Sequence, residues 1–520
     1  MEEIRFRRAA VRALLSQLDT SKAHGADNLS ARVLRECAAE LSGPVARLFS
    51  TFFRAGFMPA AWKMANVVPV YKKKNRSSVT NYRPISLLPI LSKVMESVIN
   101  TQLMNFLEEH GILSRNQFGF RPKLGTTDLL AALQHEWVST LNAGGCVRLL
   151  AVDIAGAFDK VSHRCLLHKA AAYGVRGPLL LWLRAYLDGR TLRAVVGGTA
   201  SPEHSISAGV PQGSVLGPTL FLLYVNDLED YLPPSVRLAV YADDTTLYAN
   251  VASAATVAAT CSLFQDATDA LSLWGRHWYI TFEPSKSHAL TLGTRRWDFP
   301  PLLFDGVVVP EVEEIELLGV IVDQKLTFAP QISKLCTKAR QRLGFLRRAS
   351  RVLCGRRRAN TYKAFVRPRL EYAHLCWMGA ADSHLAKLDD VQNAAIRLLG
   401  PDAPPLDSLD HRRRVGALTY LYKLQCWDCP SRLQDLVPPP LPYPEGRTRA
   451  QRDAQITWHS KQFADPLPLF SSARAVRSFP NGLIDEWNSL PAEYFTRAYD
   501  LKSLQSFKEA VHRELSYRLA

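Results

Sequence analysis

Two adjacent carboxylates, Asp243 and Asp244, stand between two apolar β-prone runs, and few folds tolerate that arrangement. The stretch from Val236 to Asn250 reads Val-Arg-Leu-Ala-Val-Tyr-Ala-Asp-Asp-Thr-Thr-Leu-Tyr-Ala-Asn. Alternation at Val236, Leu238 and Val240 makes its first half a strand; Leu247 and Tyr248 sit on a second. The acidic pair falls at the tight turn between them. Like charges this close repel, and burial raises their pKa. A divalent cation relieves both costs. Paired hard oxygen ligands suit Mg²⁺, which fills its remaining sites with water and substrate phosphate. Alone, an Asp-Asp is more often a solvated turn, so a second source of carboxylate is needed.

It lies upstream. Val147 to Val152 is β-prone and ends at Asp153, within Ala151-Val-Asp-Ile-Ala-Gly-Ala-Phe-Asp159. Between the two acidic sites lies Gly209-Val-Pro-Gln-Gly-Ser-Val-Leu-Gly-Pro218. This trio resembles motifs A, B and C of reverse transcriptases, in order and at suitable spacing, and Tyr241-Ala-Asp-Asp244 looks like the family's Tyr-x-Asp-Asp box. Three motifs in order are far more specific than one.

The resemblance implies an α+β right hand: fingers, a palm of antiparallel sheet and helices, and a helical thumb, with a small, mostly helical C-terminal region. The expected division is a helical N-terminal extension over 1–60, fingers over 61–145, palm over 146–325, thumb over 326–400, and a Pro-punctuated region over 401–520. It implies RNA-directed DNA polymerase activity, with two Mg²⁺ (or Mn²⁺) held by Asp153, Asp243 and Asp244. The partners implied are an RNA template, a DNA primer and deoxynucleoside triphosphates.

Bulk properties agree. A net charge of +16 and a pI near 9.5 point to a polyanionic partner. Apolar residues at 47% exclude a disordered chain. Nine scattered cysteines lack framework spacing, which suits a reducing compartment. The pair Cys426 and Cys429 has no second half with zinc spacing and reads as ordinary thiols. The charged start and the lack of a long apolar run predict no membrane association and a nuclear and cytoplasmic location.

Along the chain, helical spacing is expected over Glu2–Leu18 and Leu29–Phe53, then a strand near Ala61–Tyr71. Lys-Ala-x-Gly-x-Asp from Lys22 and Pro-x-x-Trp-Lys from Pro59 resemble the N-terminal extension of non-LTR retrotransposon polymerases. Lys72-Lys-Lys74 precedes Asn81-Tyr-Arg-Pro-Ile-Ser-Leu-Leu88, a hairpin lined with positive charge. By the resemblance Arg83 and Lys73 clamp the triphosphate, Arg as a bidentate fork and Lys as a point charge. Asn116 to Thr127 matches a further block, and Arg121 and Lys123 there are candidates for template phosphate. Helices are expected over Asp128–Leu141, from an N-cap at Ser162 through Tyr173, over Leu220–Leu228 and over Ala254–Trp278.

On its own Phe158 reads as a core residue; by the resemblance it takes the sugar-gate position, where a ring would leave no room for a ribose 2′-hydroxyl. Asp159 reads as orienting the local turn. Gly209, Gly213 and Gly217 allow close backbone approach, and Gln212 and Gly213 would lie against the nucleotide. Ile280 to Lys286 resembles motif D, with Lys286 as candidate acid for pyrophosphate; Glu283 replaces an Asn frequent in the family. Leu317 to Asp323 looks like the primer grip. The amphipathic helix Gln331–Leu346 and the basic run after it present Lys334, Lys338, Arg342 and Arg347 to a duplex. Trp487-Asn-x-Leu-Pro491 resembles a late box of jockey-like elements and reads as a small packing module. Such elements usually also encode an endonuclease, for which the stretch before Lys22 has no room; the expectation is a fragment of a longer element protein or a gene model started internally, with an endonuclease domain or partner encoded elsewhere. Two alternatives stay open: an RNA-directed RNA polymerase and a catalytically idle nucleic-acid-binding remnant.

Overall fold

A computed structural model describes residues 1–72, 75–426, 431–434, 436–437, 461–463, 472–495 and 503–519. Cys429, the Pro438–Pro440 run and Lys73 lie outside them.

Helices and two principal sheets enclose two apolar clusters, with Leu150 and Leu247 in one and Leu149 and Tyr248 in the other. The first sheet is built on strand β1 (Met64–Tyr71), paired antiparallel with β2 (Tyr82–Leu87) and parallel with β4 (Arg190–Val196). Short strands β5 (Thr199–Ala200) and β6 (His204–Ile206) complete it on β4. The second sheet runs β7 (Arg237–Tyr241), β8 (Asp244–Val251), β3 (Cys146–Val152), β9 (His288–Leu292), all antiparallel. Its apolar strands are buried almost throughout, as a sheet covered on both faces requires.

Most expected elements are present, with shifted ends. The first helix begins only at Arg8; Ile4 and Phe6 are buried from the non-helical segment before it. The second region splits at Cys37 into Ala31–Glu36 and Ala38–Arg54. Ala60–Lys63 is a helical turn before β1. Ser162 caps the helix His163–Ala172 by accepting from Cys165 N. Helices Thr126–Asn142, Gly217–Val225, Val257–Trp278 and Ala329–Ala349 match expectations within a turn. The primer-grip stretch is a hairpin, Glu314–Leu317 with Val320–Asp323. Its turn, Leu318-Gly319, has φ of +48° and +85°, positive at both central positions as the twist of such hairpins favours.

Helices Leu409–Cys426 and Leu504–Leu519 pack together. Trp487 is fully buried, stacks on Phe463 at 5.5 Å, and donates its indole N–H to Lys461 O. Asn488 exchanges two hydrogen bonds with the Phe463 backbone. The late Trp-Asn box is therefore a packing unit. Among the described residues no helix is long and apolar enough to cross a membrane.

Candidate active site

The hairpin β7–β8 closes through Tyr241-Ala242-Asp243-Asp244, with Tyr241 facing Asp244. Ala242 takes φ +62°, a conformation unfavourable for any residue with a Cβ. A brace holds it. Gln117 Oε1 accepts from Ala242 N at 3.0 Å and from Gly119 N at 2.7 Å. Phe118 N donates to Val240 O, and Val240 N to Asn116 O, both at 2.9 Å. Gly119 lies so close that a Cβ there would stand 2.2 Å from Ala242 N. Residues 116–119 thus cover the free edge of β7 and fix the acidic turn.

Asp153 follows β3, whose pairing with β8 places Val152 opposite Thr245. The strand end therefore delivers Asp153 beside the turn. Its backbone is tied down by Glu283 N donating to Asp153 O and Ala155 N to Thr281 O, each 2.9 Å. This brings Lys286, in a short 3-10 turn, to 3.6 Å from the Asp153 carboxylate and 3.5 Å from Glu283.

A cleft of about 560 Å³ gathers Asp153, Asp243, Phe158, Gln212, Gly213, Arg83 and Lys286 from segments remote in sequence. Lys72 lines it too, the described lysine of the basic run nearest the position expected of Lys73. Phe158 stacks on Phe221 at 4.7 Å and 18°, and meets Phe120 edge-on at 6.0 Å. Asp244, partly open to solvent, lines a neighbouring recess of about 80 Å³ with Tyr241, Leu317 and Leu318. It still feels its neighbours. Enclosure by protein raises its pKa first, then the charges of Asp243 and Asp153, while Lys72 pulls it down. Among the described residues no three acidic, His or Cys side chains are already drawn together tightly enough to grip an ion.

Other expected contacts are spent inside the protein. Arg121 is nearly buried. It forms a two-point pair with Glu108 and donates to Ser114 O and Gln117 O, which fixes the bracing loop and leaves its fork unavailable for template phosphate. Lys334 pairs with Glu316 at 2.8 Å. Arg342 donates to Phe365 O at 2.7 Å and lies over that ring. Lys123, Lys338 and Arg347 are exposed.

Sequence reasoning missed three site residues. Gln117 and Phe120 were read only as part of a punctuated block. Glu96 is fully buried and accepts from Val215 N at 2.9 Å and Leu216 N at 3.3 Å, which anchors the start of the Gly217–Val225 helix; burial raises its pKa. A charge among Val94, Met95, Val98 and Ile99 was the available signal.

A separate cavity of about 320 Å³ lies between Leu409–Cys426 and Leu504–Leu519, lined by Glu371, His411 and His512 among others. It holds none of the strand-end carboxylates, so the chemistry is assigned to the first cleft.

Residues 71–322 match the family described as Reverse transcriptase (RNA-dependent DNA polymerase). The chain is 32% identical to the RNA-directed DNA polymerase from mobile element jockey of Drosophila melanogaster, over 74% of this chain and 43% of the relative. It is 29% identical to the probable RNA-directed DNA polymerase from transposon X-element of the same fly, over 76% and 44%. A jockey polymerase from Drosophila funebris is 31% identical over 74% of this chain. The chain spans less than half the length of these relatives. From the domain match and these relatives together, the segment 71–322 belongs to the reverse transcriptases, of the kind carried by jockey-like non-LTR retrotransposons.

Proposed function

We propose that this chain copies RNA into DNA, adding deoxynucleotides to a primer 3′-hydroxyl, and that its two sheets and helical C-terminal half are the fingers, palm and thumb of a right hand. The observation that carries the reading is the single cleft in which Arg83, Asp153 with Phe158, Asp243 and Lys286 converge from four segments. The donor set fits magnesium: hard oxygens only, and an Asp244 whose ionisation is opposed by Asp243 and Asp153, an opposition a cation would relieve. Bound through Asp153, Asp243 and Asp244, two Mg²⁺ ions would lower the pKa of the primer hydroxyl and neutralise charge on the departing pyrophosphate.

The chain's own residues do the rest. The primer oxygen bonds to the α-phosphorus as the bond to the β-phosphate oxygen breaks, and pyrophosphate leaves. Arg83 and Lys72, both exposed on the cleft wall, hold the triphosphate and offset its growing charge. Lys286 stands ready to give a proton to pyrophosphate. Phe158, backed by Phe221, fills the space of a 2′-hydroxyl. Positioning supplies much of the rate. Exposed Lys338 and Arg347 supply phosphate contacts for the RNA–DNA hybrid. The test is primer extension by the full chain on poly(rA)–oligo(dT) with dTTP. Incorporation that requires Mg²⁺ supports the reading; incorporation of UTP in preference to dTTP would replace it with RNA synthesis.

A further inference from the structure

We propose that Asp159 is a positioning residue: it takes an N–H of the Gln212 side-chain amide and so presents the amide oxygen to the cleft, as acceptor for the 3′-hydroxyl of an incoming nucleotide. This rests on the nucleotide-transfer reading above.

Gln212 Nε2 stands 2.9 Å from Asp159 Oδ1, and both residues line the cleft. An ionised carboxylate only accepts, so the nitrogen end of the amide must face it. The orientation is therefore set by chemistry. Among the described residues Oε1 then has no hydrogen-bond partner. The backbones carrying the pair are already locked together. Val210 N donates to Phe158 O and Gly209 N to Val161 O, each at 2.8 Å. Ser86 N donates to Gln212 O at 2.7 Å, which ties the same residue to β2. A Cβ on Gly209 would stand 2.7 Å from Asp159 O, and one on Gly213 2.6 Å from Ser86 O. What remains free is rotation of the Gln212 side chain, and Asp159 removes it.

Asp159 has no other visible task. Among the described residues no cation pairs with it. Enclosure raises its pKa, and the Gln212 bond is what lowers it. A single hydrogen bond to a neutral amide adds little to stability. Held in one orientation, it decides whether the nucleotide meets a donor or an acceptor. The sugar of a deoxynucleoside triphosphate carries one hydroxyl, a donor. Phe158, the adjacent residue in sequence, would check for an unwanted 2′-hydroxyl, and Gln212 for the required 3′ one.

The experiment compares kcat/KM for dTTP and for 2′,3′-dideoxythymidine triphosphate (ddTTP) on poly(rA)–oligo(dT), using the full chain. Asp159→Ala should cut the preference for dTTP about ten-fold, chiefly through KM for dTTP. Asp159→Asn, whose side-chain oxygen still accepts the amide N–H, should stay within about three-fold of the unmodified chain. On a Gln212→Ala background, Asp159→Ala should change the ratio no further. An unchanged preference in Asp159→Ala, an Asn variant as impaired as the Ala variant, or a full effect without Gln212 would each overturn the assignment. The ratio is also read without turnover, from the dTTP and ddTTP concentrations that stabilise the chain on a dideoxy-terminated primer–template. Selective binding by a protein that extends no primer would sink nucleotide transfer while leaving Asp159 its role.

Discussion

Asp244 ionises against its surroundings: the enclosing protein, Asp243 and Asp153 all raise its pKa. A carboxyl raised in the fold adds stability below its unfolded pKa and loses it as pH climbs through the folded value. At neutral pH without metal, Asp244 therefore weakens the fold. Asp244→Asn should raise the metal-free Tm at pH 7 by a few degrees at most, and the gain should vanish near pH 4. Added Mg²⁺ should raise Tm more for the unmodified chain than for the variant. Differential scanning fluorimetry decides it, and a lower metal-free Tm in Asp244→Asn contradicts the electrostatic account. Phe158 makes a separate claim. Asp153, Asp243, Arg83, Gln212 and Phe158 were readable because strand ends and Gly-Pro turns mark where side chains reach a cleft. Arg121 was not: its carboxylate partner, Glu108, lies at the end of the helix that precedes its loop, and no local pattern shows which charges are already paired. Phe158→Ala should raise UTP incorporation relative to dTTP by at least about ten-fold; one more or fewer small group in a pocket commands changes of that order. The ratio is the readout, since loss of the Phe221 stack will also cost stability. An unchanged ratio would remove the gate.

Two elements share the work of holding the acidic turn. The hairpin β7–β8 supplies its ends, and residues 116–119 supply the outside brace. Gln117→Ala would orphan the N–H groups of Ala242 and Gly119, at about 1–3 kcal/mol for a buried unsatisfied donor. A fall of that size in urea unfolding, with faster hydrogen exchange at Ala242, is expected; native exchange at Ala242 would show that the brace carries nothing. Strand and helix identities were legible from period and caps. Their ends were less so. Glu2–Arg7 carries helical spacing, yet the structure leaves it outside any helix, with Ile4 and Phe6 buried, a tertiary choice that local pattern does not contain. The brace was equally hidden, because a parallel contact between a loop and β7 is set by distance in space and not by sequence period.

Across the whole molecule, the late region reaches back to the first half. Tyr420 donates to Asp128 at 2.7 Å and Lys423 pairs with it at 2.8 Å, at the N-terminal turn of Thr126–Asn142. Such contacts, nearly 300 residues apart in the chain, leave no local trace, so the role of the late region was illegible from sequence while its Trp-Asn packing unit was visible. The +16 charge, in contrast, is a property any reading finds. Exposed Lys338 and Arg347 should each contribute roughly 0.9 to the slope of log binding constant against log salt for a duplex partner. Their double Ala replacement should lower that slope by one to two (roughly, by the same rule); an unchanged slope in filter binding would place the nucleic acid elsewhere. The most direct measurement of all is Mg²⁺-dependent extension of oligo(dT) on poly(rA) by Asp243→Asn beside the unmodified chain. Loss of about a thousand-fold or more, with primer–template binding retained, is the predicted result. Synthesis at the unmodified rate would contradict the assignment of Asp153, Asp243 and Asp244 to a shared metal site.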